Sequence, residues 1–349
     1  MKLDSMKRFV SLVLVALLAF VIGAVPALAE EEEMPVFTAE EIVNAGYDAY
    51  DAGDFEKARG LFELAADRGY AKAQNALGNL YNNKDYAGMS REKAVAYFQL
   101  AVAQDYSAAF SNLGSMYYYG LGVEKSYEKA AEYCQVAADR GINSAQNLMG
   151  TMYYHGYGVE QSYEKALEYY QKAADQGYEY SQYMLGYMYL LGVGVEQSNE
   201  MAAKYTQLSA DQGGVGGLSL MGYLYAEGIG VEQSYEKAFA CFQLASDQEY
   251  GEATNNIGDM YENGYYVEQS YEKAMEYYQL ALEQGSDTAL LSIGSMYEEG
   301  HGVEPSLEKA VEYYLEAASK GNEYAVEMLD RLVEEGKITK DYKVISAGK

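Results

Sequence analysis

Apolar, small and polar positions recur along most of this chain with a period of 36 residues, and each period contains two stretches with helical spacing. In the first stretch, small or aliphatic residues stand five and one positions before a glycine and two positions after it, as Ser181, Leu185 and Met188 do around Gly186. Steps of four and three residues place these side chains on one face of an α-helix. The glycines that mark this register are Gly78, Gly114, Gly150, Gly186, Gly222, Gly258 and Gly294.

The second stretch of each period has the same kind of spacing. In one period, Ala166, Tyr169, Tyr170 and Ala173 stand at i, i+3, i+4 and i+7. Two amphipathic helices cannot bury their apolar faces alone, so neighbouring periods must stack. The pattern therefore predicts an all-α fold, an α-solenoid of about eight helix-turn-helix repeats.

Residues that favour helix ends stand where this prediction needs them. A serine precedes each second helix, where its hydroxyl can accept a hydrogen bond from a free backbone N–H. These serines are Ser126, Ser162, Ser198, Ser234, Ser270 and Ser306. Glycines that can adopt a left-handed conformation end the helices. They are Gly120, Gly156, Gly192, Gly228, Gly264 and Gly300 after the first helix, and Gly141, Gly177, Gly213, Gly285 and Gly321 after the second.

The repeated motif A-x-x-x-L-G-x-M-Y-x-x-G-x-G-V, followed by K-A-x-x-Y-Y-x-x-A-A-x-x-G, resembles the Sel-one-like repeat, a relative of the tetratricopeptide repeat, over about residues 70–336. The first hairpin, in which Gly46 and Ala58 are only 12 residues apart, resembles a plain tetratricopeptide hairpin with a shorter loop. The resemblance implies a right-handed superhelix that acts as an adaptor between proteins. The chain departs from the family in having tyrosine pairs where Trp-Tyr is frequent, and a capping Ser where Asp is frequent.

Composition divides the chain into four segments. We predict a signal peptide over residues 1–29, an acidic linker over 30–38, the repeat solenoid over 39–336 and a Lys-rich, loosely ordered tail over 337–349. The first segment has a basic start, an apolar run shorter than the roughly 20 residues of a spanning helix, and an A-x-A exit at 27–29. An uncleaved anchor is the alternative. We expect a secreted, periplasmic or cell-envelope protein with no integral membrane span after cleavage.

The charge balance limits the classes of partner. Without residues 1–29, the chain has 22 Lys+Arg against 52 Asp+Glu, a formal charge of −30. Such a surface repels nucleic acid and anionic membranes and attracts basic ligands, with a strength that salt screens. Solubility outside the cell is the simpler explanation of the same charge.

The two cysteines, Cys134 and Cys241, are 107 residues apart and both lie in predicted second helices. Packed helices are roughly 8–10 Å apart, so sites three repeats distant exceed the roughly 5.5 Å Cα separation of a disulfide. We therefore predict two isolated core thiols. We separately expect the protein to be a monomer. An intermolecular disulfide is the alternative.

The chain contains no recognisable catalytic motif. Its two histidines, His155 and His301, stand near loop glycines 146 residues apart and are predicted to be solvated loop residues. We predict no enzymatic activity, no cofactor and no metal site, although weak calcium binding along the repeated loop glutamates stays open. A β-lactamase-like hydrolase, suggested by cysteine-rich relatives of the repeat, is the least favoured alternative because this chain lacks their Cys pair in each repeat.

The resemblance implies that the first helix of each repeat lines the concave side of the solenoid. The columns three positions before, one after and four after the register glycine vary between repeats and are predicted to face this groove. The groove residues are Tyr118, Tyr154, Tyr183, Tyr187, Leu190 and Tyr223 in the middle, followed by Asp259, Glu262 and Glu298.

A central aromatic patch beside an acidic end suits a protein or peptide segment with an apolar stretch followed by Lys or Arg. A cell-wall glycan or polysaccharide is the alternative ligand, because the chain has 39 tyrosines whose rings can stack on sugars. The tyrosines could instead fill gaps between neighbouring helices.

Overall fold

The computed structural model describes residues 37–345, which contain seventeen α-helices and no strand beyond one isolated antiparallel bridge between Ile338 and Val344. The predicted signal peptide and most of the acidic linker lie outside these residues. The helices are α1 Ala39–Asp51, α2 Phe55–Ala66, α3 Ala71–Asn82, α4 Arg91–Val102, α5 Ser107–Tyr119, α6 Tyr127–Asp139, α7 Asn143–His155, α8 Tyr163–Ala174, α9 Glu179–Leu191, α10 Asn199–Asp211, α11 Val215–Glu227, α12 Tyr235–Ser246, α13 Gly251–Asn263, α14 Tyr271–Glu283, α15 Thr288–Glu299, α16 Leu307–Ser319 and α17 Glu323–Glu334.

The chain divides into two units, Met1–Arg68 and Gly69–Lys349. The described part of the first unit is the α1–α2 hairpin. Thr38 begins α1 with a capping box, in which its side chain accepts a hydrogen bond from the backbone N–H of Glu41 while the Glu41 carboxylate accepts one from the backbone N–H of Thr38. The two helices pack through buried Val43, Gly46 and Phe62.

The second unit is a run of helical hairpins that confirms the predicted all-α solenoid. Within each hairpin the two helices pack together, and each second helix packs against the first helix of the next hairpin. First helices of successive hairpins also contact one another, as α5 does with α7, α9 with α11, and α13 with α15. The first helices therefore share one continuous face of this unit.

The register glycines allow the two helices of a hairpin to approach closely. A Cβ atom placed on Gly258 would lie 2.5 Å from the ring of Tyr278, and one on Gly150 would lie 2.7 Å from the ring of Tyr170. Both distances are shorter than a van der Waals contact, so only glycine fits beneath these buried rings. The glycine in the first helix and the residue 20 positions later form one packing unit per repeat. For the register glycines in order, that second position holds Phe98, Cys134, Tyr170, Thr206, Phe242, Tyr278 and Tyr314, whereas in the shorter first hairpin Gly46 lies beneath Phe62, 16 positions later.

The helix ends follow the predicted capping. Each of the six serines accepts a hydrogen bond from a backbone N–H three residues later, as Ser162 does from Lys165 at 3.3 Å. The six glycines that end first helices from α5 to α15 are all left-handed, with φ between 69° and 75°. The capping serines and the helix-ending glycines of the sequence thus predict these helix boundaries to within one residue.

The C-terminal segment differs from the prediction. We predicted a loosely ordered tail from residue 337, but residues 337–345 turn back on the last helices. Ile338 is 1% exposed and packs in a core cluster with Val311, Leu329 and Leu332. Within the described residues no helix follows α17, and this short segment covers part of the apolar face of the last helices.

The cysteines are both free, but their environments differ. Cys134 is fully buried beneath Gly114, as predicted for a core thiol. Cys241 is only partly buried, so its prediction as a core residue was too strong. It occupies the position next to the core-facing one, and this neighbouring column points partly to solvent.

The described residues contain no helix that is both long and apolar enough to cross a bilayer.

Candidate functional site

Tyrosine rings from successive first helices converge on one surface of the second unit. We call this surface the tyrosine face and define it by Tyr118, Tyr119, Tyr154, Tyr180, Tyr183, Tyr187 and Tyr223. Burial raises the pKa of Tyr118 to about 12, and neighbouring phenols add to this shift. One of these phenols belongs to Tyr180, which lies two repeats further along the chain. Burial likewise raises the pKa of Tyr183 to about 12, with contributions from the phenols of Tyr250, Tyr180, Tyr187 and Tyr154. The tyrosine hydroxyl groups on α5, α7 and α9 are thus close enough to interact electrostatically.

The inner members of the tyrosine face are packing residues. The Tyr183 ring lies flat against α11, where a Cβ on Gly216 would be 3.3 Å from three of its atoms. Tyr118 makes an edge contact with Tyr127 at 5.2 Å between ring centroids, and Tyr154 makes one with Tyr163 at 5.2 Å. The prediction that these side chains face a free groove is therefore incomplete, because each also fills a gap between helices.

The outer members present open rings to solvent. Tyr119 is 62% exposed, Tyr180 43% and Tyr223 45%. We did not predict Tyr119 and Tyr180 because they lie outside the three columns that we assigned to the groove. Their positions along the first helix are the sequence signal that could have identified them. Tyr119 ends α5 and Tyr180 lies at the start of α9, and neighbouring repeats approach at these helix ends. Leu190 lies apart from the rings and packs against the cluster of Ala203, Met221 and Leu224.

The predicted acidic residues Asp259 and Glu262 share one phenol. The Tyr278 hydroxyl is 2.7 Å from Asp259 Oδ1 and 2.5 Å from Glu262 Oε2. Burial raises the pKa of Asp259 to about 6, and the Glu262 charge adds to this shift, although the hydrogen bond from Tyr278 opposes it. A phenol has one proton and can donate to only one of the two carboxylates at a time.

Glu298 occupies the equivalent place one repeat later but has a cation beside it. The Tyr314 hydroxyl donates to Glu298 Oε2 at 3.0 Å, and the guanidinium of Arg331 lies 2.8 Å from the same oxygen. Lys337 adds a weaker contact at 3.8 Å to Oε1. Because Glu298 is already paired within the chain and only 12% of its side chain is exposed, it offers little charge to a basic ligand.

Comparison with protein families identifies the repeat. The family model of the Sel1 repeat matches residues 46–70, 71–106, 108–142, 143–178, 179–214, 217–250, 251–286 and 288–322. The chain belongs to the Sel1 repeat family. Sel1 repeat proteins are generally scaffolds for protein–protein interaction, and the family is typically non-enzymatic. A search of curated protein sequences found no match.

Two solved structures share the Sel1 repeat fold of this chain. A protective antigen present in uropathogenic Escherichia coli strains, c5321, displays an SLR fold and is 31% identical, with a TM-score of 0.64 over 85% of this chain and 65% of that protein. A Sel1 repeat protein from Oxalobacter formigenes is 27% identical, with a TM-score of 0.63 over 70% of this chain and 96% of that protein. This chain thus spans 65% of the length of the antigen.

Proposed function

We propose that this Sel1 repeat protein is an extracytoplasmic scaffold that binds a protein or peptide segment on its tyrosine face. The observation that carries the proposal is the succession of tyrosines on four successive first helices, α5, α7, α9 and α11, with open rings at Tyr119, Tyr180 and Tyr223. Tyrosine is enriched among the residues that dominate interface energies, because its ring buries a large area at a small entropic cost. A rigid support beneath such rings further reduces the cost of binding.

Charge favours a basic partner. The chain has a formal charge of −28, and charges of one sign raise the encounter rate of oppositely charged ligands at low ionic strength. The described acidic residues nearest to the tyrosine face along the chain are Glu179, next to Tyr180, Glu227, four residues after Tyr223, and Glu124, five residues after Tyr119. A segment with an apolar or aromatic stretch followed by Lys or Arg matches this combination.

Two observations support an extracytoplasmic location. The first 29 residues have the composition of a signal peptide. The similar Escherichia coli protein is described as a protective antigen. Both observations support a partner outside the cytoplasm.

The test combines Tyr180→Ser with Tyr223→Ser in one chain. Both side chains are more than two-fifths exposed, so the variant should keep its fold, unlike one that removes the packed Tyr183. Truncating a tyrosine at the centre of an interface costs about 2 kcal/mol, which corresponds to more than tenfold weaker binding. We expect the variant to lose proteins that the wild type captures from a cell-envelope extract, and to bind aromatic, Lys-containing synthetic peptides at least tenfold more weakly.

Tyr324→Ser is the matched control. Tyr324 occupies the same position in α17 as Tyr180 does in α9, is 68% exposed, and lies four repeats away from Tyr180. This control should bind like the wild type. Equal binding by all three proteins would refute the assignment of the tyrosine face. Capture that disappears after treatment of the extract with glycan-degrading enzymes would instead favour the glycan ligand.

A further inference from the structure

Three metal-ligating side chains meet at the C-terminal ends of α13 and α15. His301 Nδ1 lies 3.3 Å from Glu262 Oε1 and 3.2 Å from Glu299 Oε2. One ligand atom from each of the three residues lies within 4.8 Å of the others. Sequence analysis predicted a solvated loop histidine at this position, but the His301 side chain is only 31% exposed. The hairpin repeat brings together residues that are 39 positions apart in the chain.

The distances fit a tetrahedral metal. Zinc bonds to imidazole nitrogen and carboxylate oxygen are about 2.0–2.1 Å long, so the edges of a tetrahedral site are about 3.3–3.4 Å. The two edges from His301 Nδ1 already have nearly this length. The third edge, between the two glutamates, can shorten by rotation of Glu299, whose side chain is 53% exposed.

Neighbouring residues hold two of the ligands in place. The Tyr278 hydroxyl occupies Glu262 Oε2, which leaves Oε1 directed at the histidine. The His301 ring stacks on Tyr271, with 4.2 Å between ring centroids and an angle of 13° between the planes. Partners of this kind fix the orientation of ligands in metal sites and contribute to their affinity.

The charge of the cluster differs from that of the equivalent site one repeat later. Glu262 and Glu298 both stand four residues after a register glycine and both accept a hydrogen bond from a tyrosine. Glu298 faces the permanent cations Arg331 and Lys337. Among the described residues, the ion-pair partner of Glu262 is His301 alone, and this histidine also faces Glu299. A divalent cation would supply at Glu262 the positive charge that Arg331 supplies at Glu298.

We propose that Glu262, Glu299 and His301 form a binding site for Zn²⁺. An imidazole with two carboxylates suits zinc, whereas Ca²⁺ takes six to eight oxygen ligands and Mg²⁺ retains most of its water. Three protein ligands leave a fourth position for water or for a side chain of a bound partner. The site links α13 with the loop after α15, so zinc would stabilise the packing of these two repeats against each other.

The test is Zn²⁺ titration of the full chain, prepared without an affinity tag, by calorimetry in excess Mg²⁺ and Ca²⁺. These ions occupy the diffuse acidic surface and leave a specific zinc site free. We expect one Zn²⁺ per chain. Its X-ray absorption spectrum should show only nitrogen and oxygen ligands at about 2.0–2.1 Å, one of them an imidazole.

The variants separate this site from general cation binding. His301→Gln and Glu262→Gln should each weaken zinc binding at least tenfold, while His155→Gln removes an exposed histidine elsewhere and should change nothing. If Glu262→Gln alters the circular dichroism spectrum, Glu299→Gln on the more exposed side chain takes its place. A wild type without a saturable site, or a site that survives His301→Gln, would overturn the proposal and leave the cluster as a histidine hydrogen-bonded to two carboxylates.

Discussion

Replacing Gly186 by alanine tests the close approach of the two helices of a repeat. A Cβ atom at this position would lie 2.2 Å from Thr206 Oγ1, 3.0 Å from the Thr206 amide nitrogen and 3.2 Å from the Ala202 carbonyl oxygen. The last two atoms belong to the backbone of α10, so a change of side-chain rotamer cannot relieve the contact. The α9–α10 hairpin must open slightly.

Two opposing effects set the size of the change in the free energy of unfolding. Overpacking a core typically costs about 1–3 kcal/mol, and more where backbone must move. Alanine in place of glycine inside a helix gains about 1 kcal/mol. We therefore expect Gly186→Ala to lower the free energy of unfolding by about 1–2 kcal/mol. Gly60→Ala is the matched control, because Gly60 lies within helix α2 and a Cβ there meets nothing within 4 Å. This control should gain about 0.5–1 kcal/mol.

Urea unfolding followed by circular dichroism measures both changes, and hydrogen exchange locates them. Because each repeat is stabilised by its neighbours, exchange in Gly186→Ala should accelerate most in the peptides of α9 to α12 and least in α15 to α17. Adding Thr206→Ala should restore only part of the stability, since the backbone contacts persist. A variant as stable as the wild type, or exchange that accelerates evenly along the chain, would refute the packing argument.

Three further predictions concern single side chains. Thr206 is fully buried and its hydroxyl has no hydrogen-bond partner in the described part of the chain, so Thr206→Val should raise the free energy of unfolding by about 1–3 kcal/mol, measured by urea unfolding. A loss of stability would show that the hydroxyl is satisfied. The raised pKa of Asp259, about 6 instead of 3.8, makes its ionisation destabilising as pH rises from 4 to 7, because the folded protein holds the proton more tightly than the unfolded chain. The stability of Asp259→Asn relative to the wild type should therefore increase over this range by up to about 3 kcal/mol, and a constant difference would exclude the shift. Burial raises the pKa of Cys134 to about 12, whereas Cys241 is only partly buried. Mass spectrometry after maleimide treatment should thus find Cys241 labelled in the native protein and Cys134 labelled only after denaturation, and prompt labelling of both would contradict this difference.

Some features of this Sel1 repeat protein follow from local sequence because their physical cause is local. A serine caps the helix that begins after it, as Ser162 does, and a glycine such as Gly192 adopts the left-handed conformation that ends a helix. Where the glycine is missing, the structure keeps the conformation: Asp105 and Glu249 take φ values of 61° and 62° at positions that other repeats fill with glycine. The 36-residue repeat thus determines the backbone even at positions where the residue type does not favour it.

Other features depend on which residues the stacked repeats bring together. The sequence alone determined the helices, their boundaries and the family of the repeat, because the residues that specify them recur in each copy of the 36-residue pattern. Only the tertiary structure decided that Gly186 lies beneath Thr206, that Tyr183 rests on Gly216, and that His301 faces Glu262. Each of these pairs joins residues 20 to 39 positions apart, and each contains at least one residue whose type differs between the repeats. A repeat predicts what its copies have in common, whereas the candidate sites are built from the positions where the copies differ.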